Sequence, residues 1–491
     1  MILKTRLKEI VAFFDSCNRK SPGKILGGLF LIVGYSYGVF QESFWSDDYP
    51  SLVDPNGTYK EVFGDARPIF GLLTKYSYIA IGEPQYAWVL RLISLAGLLV
   101  LYSMIISKLR SENWRIPIFV AIGFSLPSFQ MYLLWAGCWP HVWTMIISLA
   151  AYQYWSRNSV KFKAIGICLM ALSFTIYPPS TFFTFSYLFL LAWYKKFELS
   201  EIIHEFRKLA TLFIIGCSAG LAGSMALMHI FEVERNSRVG VVTLTELPMK
   251  IVWIITRPVV VGFRPFMIDS PSVIVALCSS LPFILLYLVG VYAQSRTLEE
   301  NFLKRATVLS SVLFSSLIPL LITKDNQFEF RTIAGFSWGI LIVILIFLQE
   351  TKFLINFKFS KFISNVLILL MLSVGVFSIN INYKELFRDP YVVKNHFLES
   401  EILRCKQDSG VKSILVLDAL EPYPTRNRLG VYSTVTDLAH SWVIRPNVRT
   451  LSKKLDVGLP IFFSSSLGKK SSGQCLIDLE KFRILLVKGE K

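Results

Sequence analysis

Two adjacent carboxylates, Asp47 and Asp48, sit in Ser46-Asp47-Asp48-Tyr49-Pro50, directly after the first long apolar run of the chain. Beside an apolar boundary such a pair is desolvated and self-repelling, which makes one member readier to hold a proton. A carboxylate in that state can take the proton of a hydroxyl as a general base. The competing reading is a solvated loop pair, or a cap for the next turn. Gly64-Asp65-Ala66-Arg67-Pro68-Ile69-Phe70 follows. Asp65 is placed to cap a helix there and is the next candidate base. Ile69, Phe70, Leu72, Leu73 and Tyr76 would form the apolar side of that helix, lying on a membrane surface. Arg67 and Lys75 would fall on its polar side. The planar guanidinium of Arg67 suits a phosphate, while Lys75 reads first as an interfacial anchor.

More cations recur between apolar runs. Arg235, Arg238, Lys250, Arg257 and Arg264 share residues 232–271 with Glu232, Glu234, Glu246 and Asp269. Contact with lipid phosphate and pairing with these acids explain them equally well. Lys324, Asp325 and Arg331 mark a short polar segment before another apolar run. His141, after Cys138-Trp139-Pro140, makes no metal site with a single cysteine and reads as interfacial packing. The sequence holds no P-loop, no GxGxxG after a strand and no HExxH. The seven cysteines show no zinc-type spacing. Gly34 and Gly38 in the first apolar run read as helix packing.

The elements that must position these groups are membrane helices. The chain has 491 residues, 53% of them hydrophobic and only 17% charged, below the roughly 25% of a soluble domain. Apolar runs long enough to cross a bilayer alternate with short charged loops, and in lipid only helices satisfy their own backbone. About eleven spans are expected at ~20 residues per crossing. They fall near 25–44, 86–107, 116–134, 141–156, 164–177, 180–194, 209–231, 272–294, 306–322, 332–350 and 362–380. Residues 164–194 also read as a re-entrant hairpin turning at Pro178-Pro179. The first run has no small-residue cleavage site after it and is expected to stay as a mature helix. The net charge of +17 would suggest nucleic acid in a soluble protein. Here Lys and Arg concentrate in alternate loops, which places the N-terminus in the cytoplasm. Loops 45–85, 232–271 and 323–331 and the tail 382–491 are then outside, and no nucleic acid is expected. The tail is polar. It has strand-like runs at Ser413 to Leu417 and Ile484 to Val487, with a helix-like stretch from Phe397 to Lys406. It reads as a small extracytoplasmic α/β domain following a membrane domain of residues 1–381. Cys405 and Cys475 lie in it, either paired or as independent thiols.

A basic N-terminus, one span, a long outer loop opening on an acidic pair, many spans and an outer tail together resemble the GT-C class of membrane glycosyltransferases. The closer resemblance is to the phage-type serotype-converting O-antigen glucosyltransferases of enteric bacteria, the Gtr family. The residues that carry it are Ser46-Asp47-Asp48, Ala66-Arg67-Pro68-Ile69-Phe70, Ser173-Phe174-Thr175-Ile176-Tyr177 and Arg331. The layout covers nearly the whole chain, and the motifs are short. The chain departs from the family pattern at Pro178, where a glutamine is expected after Tyr177. The resemblance implies an α-helical polytopic fold and an inverting transfer of glucose from undecaprenyl-phosphate glucose to lipid-linked O-antigen. A separate donor synthase and a flippase would supply the donor. A phosphodiester leaving as a monoester can be met by side-chain cations, so no metal and no cofactor are expected; Asp47, Asp48 and Asp65 are the candidate catalytic carboxylates, and Arg67, Lys75, Arg257, Arg264, Tyr177 and Arg331 the candidate substrate- or phosphate-binding residues. A transporter or flippase, an O-antigen polymerase or ligase, and a non-catalytic receptor are the alternatives.

The charge distribution predicts that reporter fusions at Asn56 and at Lys491 both read periplasm. A cytoplasmic signal at Lys491 would require an even number of spans.

Overall fold

The computed structural model describes residues 22–41, 43, 48–110, 113–235, 240–263, 273–324, 326, 330–350, 360–417, 441–464 and 474–479. The protein is a helical membrane protein with one small sheet. In chain order its helices begin with α1 (Pro22–Phe40), α2 (Asp48–Val53), α3 (Pro55–Gly64), α4 (Pro68–Ile81) and α5 (Ala87–Leu109). Then come α6 (Arg115–Gly123), α7 (Pro127–Leu134), α8 (Trp139–Trp155), α9 (Val160–Ile176) and α10 (Phe183–Tyr194). They continue with α11 (Leu199–Ile230), α12 (Leu247–Ile254), α13 (Val273–Thr297), α14 (Phe302–Phe314), α15 (Ala334–Glu350) and α16 (Ser360–Asn382). The C-terminal part holds α17 (Asp389–Gln407), β1 (Ser413–Leu417), α18 (Ser441–Lys454), β2 (Ile461–Ser464) and β3 (Gln474–Asp478).

Among the described residues six helices are long and apolar enough to cross a membrane, or seven if α6 and α7 count as one broken span. Those two meet at 69°. The bend falls at Phe124-Ser125-Leu126, just ahead of Pro127, which has no N–H to continue the ladder. The other expected crossings correspond to α8, α9, α10 and α16, with 17, 17, 12 and 23 residues. At 12 residues α10 is shorter than the ~20 that a full crossing takes.

Burial explains the composition of the central helices. α15 is apolar on every side and its residues from Phe336 to Ile346 are nearly all buried, as a helix surrounded by other helices must be. It packs on α10, α6 and α13. α1 lies against α5, α6 and α16. Two arginines are fully buried and serve as staples. Arg91 donates to the carbonyls of Gly38 (3.2 Å) and Gln41 (2.7 Å) and to Ser43 Oγ (2.6 Å), closing the end of α1. Arg305 donates to the Phe197 carbonyl (3.1 Å), Glu300 (2.5 Å) and Gln294 (3.0 Å), joining two helix ends. Buried guanidiniums are tolerable only with such partners.

From Asp48 on, the polar segment is helical. Asp48 is the first residue of α2 and is buried, which corrects the reading of a solvated loop. Asp54 caps α3, its side chain accepting from Gly57 N at 2.9 Å. The expectation that Asp65 caps the amphipathic helix is also corrected. Asp65 closes α3, Ala66 takes a left-handed turn at φ 58°, and Arg67 precedes Pro68 at the start of α4. Proline fits the first turn of a helix because its missing N–H would be unsatisfied there anyway.

In the tail the sheet is parallel with order β2-β1-β3. Its apolar cluster includes Leu398 and Ile402 from α17, Ile414 and Val416 from β1, Val448 and Leu451 from α18 and Ile477 from β3. β1 and the helix over Phe397 to Lys406 fall where the sequence places them. β2, β3 and α18 were not foreseen, and the expected strand at 484–487 lies outside the described residues. Cys405 and Cys475 form a disulfide between α17 and β3 across a sequence separation of 70. Closing a loop of that size stabilises by about 4 kcal/mol in chain-entropy terms. A maleimide reagent is therefore expected to label Cys405 and Cys475 in the unfolded chain only after reduction. Reduction, or the Cys405→Ser/Cys475→Ser pair, should also make the tail more sensitive to trypsin while membrane insertion is unchanged.

Candidate functional site

Several helix ends meet at one end of the bundle: the start of α2, the segment between α7 and α8, the end of α9 and the approach to α15. Asp48 is the deepest charge there, at 1% exposure. Its Oδ1 accepts hydrogen bonds from Trp135 Nε1 (3.0 Å), from Gly137 N (3.1 Å) and from the Tyr78 hydroxyl. Three donors saturate one carboxylate oxygen, so the orientation of the group is fixed. Gly137 allows the approach. A Cβ there would stand 3.3 Å from Asp48 Oδ1, Trp135 Nε1 and the Tyr78 oxygen alike. Trp139 Nε1 donates to Ser77 Oγ at 3.0 Å, tying the next turn to α4.

Trp135 serves two charges at once. Its edge holds Asp48, and its face carries Arg331, whose guanidinium carbon stands 4.6 Å from the ring centroid. Arg331 also lies 5.9 Å from the Tyr177 ring and 3.6 Å from Cys138 Sγ. Its carbonyl accepts from the Tyr132 hydroxyl. Arg67 approaches Tyr177 from another direction, at 6.0 Å, and lies 5.6 Å from its own neighbour Phe70. Asp65 pairs with it. Two guanidiniums thus converge on one tyrosine ring, and guanidinium–aromatic contact of this kind orients the planar group as well as attracting it.

His141 fills the space between them. It is fully buried, with its ring 3.9 Å from Tyr177, 5.3 Å from Tyr132 and 5.4 Å from Phe70 by centroids. Arg331 and Arg67 both act on it electrostatically. Neither ring nitrogen closes a well-formed hydrogen bond, although the Cys138 backbone lies close. A buried imidazole in that condition is uncommon outside functional sites.

The sequence-predicted residues therefore divide. Asp48, Asp65, Arg67, Tyr177 and Arg331 lie in one constellation. Lys75 does not join it. Its ammonium lies over Tyr59 (5.2 Å) and Tyr76 (5.7 Å) on the α3–α4 surface. Arg257 is exposed on a π-helical turn, Ile255–Val259, and no contact among the described residues links it to the others. Asp47 and Arg264 lie outside the described residues. In the neighbouring loops Glu246 meets Lys324 of the next loop at 3.2 Å, and Lys250 is buried with its Nζ 2.9 Å from Asn326 Oδ1. Sequence reading missed Trp135, Gly137 and Tyr78 and treated His141 as packing. The available signal was Trp135-Ala136-Gly137-Cys138-Trp139-Pro140-His141, a run of ring donors and small residues at a break between apolar helices.

A groove of about 850 Å³ adjoins the constellation. It runs between α4 and α5, with Ile69, Leu72, Leu73, Tyr76, Val89 and Ile93 on its walls and Trp139 at one side. The groove is connected to the constellation through α4 and Trp139, while Asp48, Arg67, Tyr177, Arg331 and His141 do not line it. Comparison of the chain with protein-family models, curated proteins and solved structures gives no match.

The cradle predicts an order of stability. Asp48→Leu leaves three buried donors without an acceptor, at about 1–3 kcal/mol each, whereas Asp48→Asn retains an oxygen for them. Thermal unfolding in detergent should rank wild type above Asp48→Asn and Asp48→Asn well above Asp48→Leu. Equal melting of the two variants would mean the cradle contributes nothing.

Proposed function

We propose that the protein is an inverting glycosyltransferase of a bacterial inner membrane. It moves a hexose, expected to be glucose, from an undecaprenyl-phosphate donor to a lipid-linked O-antigen or related surface polysaccharide. The reaction takes place on the periplasmic face. The observation that carries this reading is that Trp135 links the buried Asp48 to Arg331, that Arg331 and Arg67 both approach Tyr177, and that α4 and Trp139 nearby wall an apolar groove. A polyprenyl phosphate presents that combination of chemistry: an anion for the guanidiniums and an isoprenoid for the channel.

In the transfer, an acceptor hydroxyl oxygen bonds to the anomeric carbon while the bond from that carbon to the phosphate oxygen breaks. The electron pair leaves on the phosphate, now a monoester, and Arg67 and Arg331 stabilise the developing charge. The hydroxyl proton goes to a carboxylate on the opposite face of the sugar. The accepting carboxylate is that of Asp48, whose Oδ1 is oriented by three donors, or that of Asp47. The same proposal includes the eleven-span topology, the cytoplasmic N-terminus and a periplasmic tail. The Cys405–Cys475 disulfide supports the last point, since disulfides persist in oxidising compartments. A transporter would be expected to carry charges near the bilayer midplane. The buried arginines, Arg91 and Arg305, are instead engaged by carbonyls and side chains at helix ends.

Expression in a host with a defined O-antigen and its donor machinery should add one hexose to the repeat, read by glycan mass and linkage. Asp48→Asn should reach normal abundance in the membrane and lose transfer by about 10² to 10⁴ if it is the base. Arg67→Lys should lose most transfer, because a lysine cannot reproduce the bidentate fork, while Lys75→Arg should keep most of it. An unmodified glycan with the wild-type chain would sink the reading. Wild-type transfer by both Asp48→Asn and Arg67→Lys would move the catalytic site away from this constellation.

A further inference from the structure

A second cleft, of about 500 Å³, opens between the membrane part and the tail. One wall is Tyr49, Leu52 and Val53 of α2 with the turn at Gly82–Gln85. The other is Tyr391 and Asn395 of α17 with Arg449, Thr450, Lys453 and Lys454 of α18. Three exposed cations therefore face a lining whose one acid is Glu83. Glu83 accepts from Gln85 Nε2 at 2.7 Å, and Lys454 is shared with Glu399 at 3.4 Å. Lys453 and Lys454 complement the C-terminal end of the α18 dipole. That accounts for cations in the last turn but not for Arg449 one turn earlier on the cleft wall, whose guanidinium lies 6.0 Å from the Phe463 ring.

The floor is polar and built. Asn395 is 9% exposed, and its Nδ2 donates to the Tyr49 hydroxyl at 3.4 Å, while its Oδ1 accepts from Asn447 Nδ2 at 3.4 Å. Lys394 lies over the Tyr49 ring at 4.8 Å. Tyr49 is the next residue after Asp48, so this cleft and the candidate site are two faces of one short helix.

We propose that this cleft binds the acceptor through an anionic group of its saccharide or of its lipid carrier. Aromatic rings and amides there would meet sugar faces and hydroxyls, and Arg449, Lys453 and Lys454 would meet the negative charge. A uronate on the glycan and the diphosphate of a lipid carrier offer the same chemistry, and the test separates them. The inference rests on the transferase reading for the word acceptor, but its binding measurement needs no turnover.

The full chain is placed in phosphatidylcholine nanodiscs and titrated with trigalacturonic acid, maltotriose and sodium pyrophosphate. Trigalacturonic acid should bind more tightly than uncharged maltotriose, and Arg449→Gln/Lys453→Gln should weaken it about tenfold with unchanged melting. Binding of pyrophosphate with the same loss, and none of trigalacturonic acid, assigns the cleft to the carrier diphosphate and still supports the proposal. Two results overturn it: neither anion binds, or the double variant binds as wild type does. Displacement of both anions by phosphatidylglycerol in the bilayer also overturns it, because the cations then serve lipid headgroups. Asp48→Asn should leave binding unchanged. An unmodified glycan with the wild-type chain would remove the transferase reading and leave the binding result standing, so the two failures are distinguishable.

Discussion

A carboxylate at 1% exposure is destabilising unless donors surround it, because desolvation of an ion costs more than most single contacts return. Asp48 meets this requirement with an indole and a backbone amide from one segment, Trp135 and Gly137, and a phenol from another, Tyr78. Those bonds fasten α2 to the segment between α7 and α8 and fasten both to α4. Once they form, Trp135 has only one way to lie, and its open face sets where Arg331 rests. The arginine in turn shares Tyr177 with Arg67. The geometry of the whole constellation thus depends on one buried negative charge being satisfied.

The same requirement shapes the rest of the molecule. Arg91 and Arg305 are buried cations met by carbonyls at helix ends, the mirror case of Asp48. Each joins helices that have no hydrophobic reason to stop at the same level. In a membrane protein apolar contact discriminates poorly between neighbouring helices, since lipid is apolar too. Polar staples of this kind specify which helix ends belong together.

Much of this was legible in the sequence for a definite reason. Asp48, Arg67 and Arg331 are charges beside apolar runs, and a charge in that place needs an explanation. Tyr177 was found only through a short motif. Trp135, Gly137 and Tyr78 were not legible, because their role depends on pairing with a residue 30 to 89 positions away. Nothing in the local pattern around them distinguishes a carboxylate's donor from a packing residue. Asp65 was misplaced because an aspartate before Pro68 looks like a cap, and the left-handed turn at Ala66 that moves the helix start is not encoded by any glycine. In the tail, β1 was readable from its continuous aliphatic run. β2 is four residues long, and α18 carries Pro446, which reads as a break.

The two guanidiniums are mounted on very different supports. Arg331 leads directly into α15, the helix enclosed on all sides by the bundle, and close packing leaves such a helix little room to shift. Arg67 sits at the junction of α3 and α4, outside that enclosed core, with Asp65 and the rings of Phe70 and Tyr177 to hold it. One jaw of the clamp is bolted to the frame and the other rides on a bracket. If the two guanidiniums hold an anion as proposed, its admission and release would be governed from the bracket side. The timing of the cycle would then be set by how readily two surface helices lift from the bundle, rather than by the deep interior.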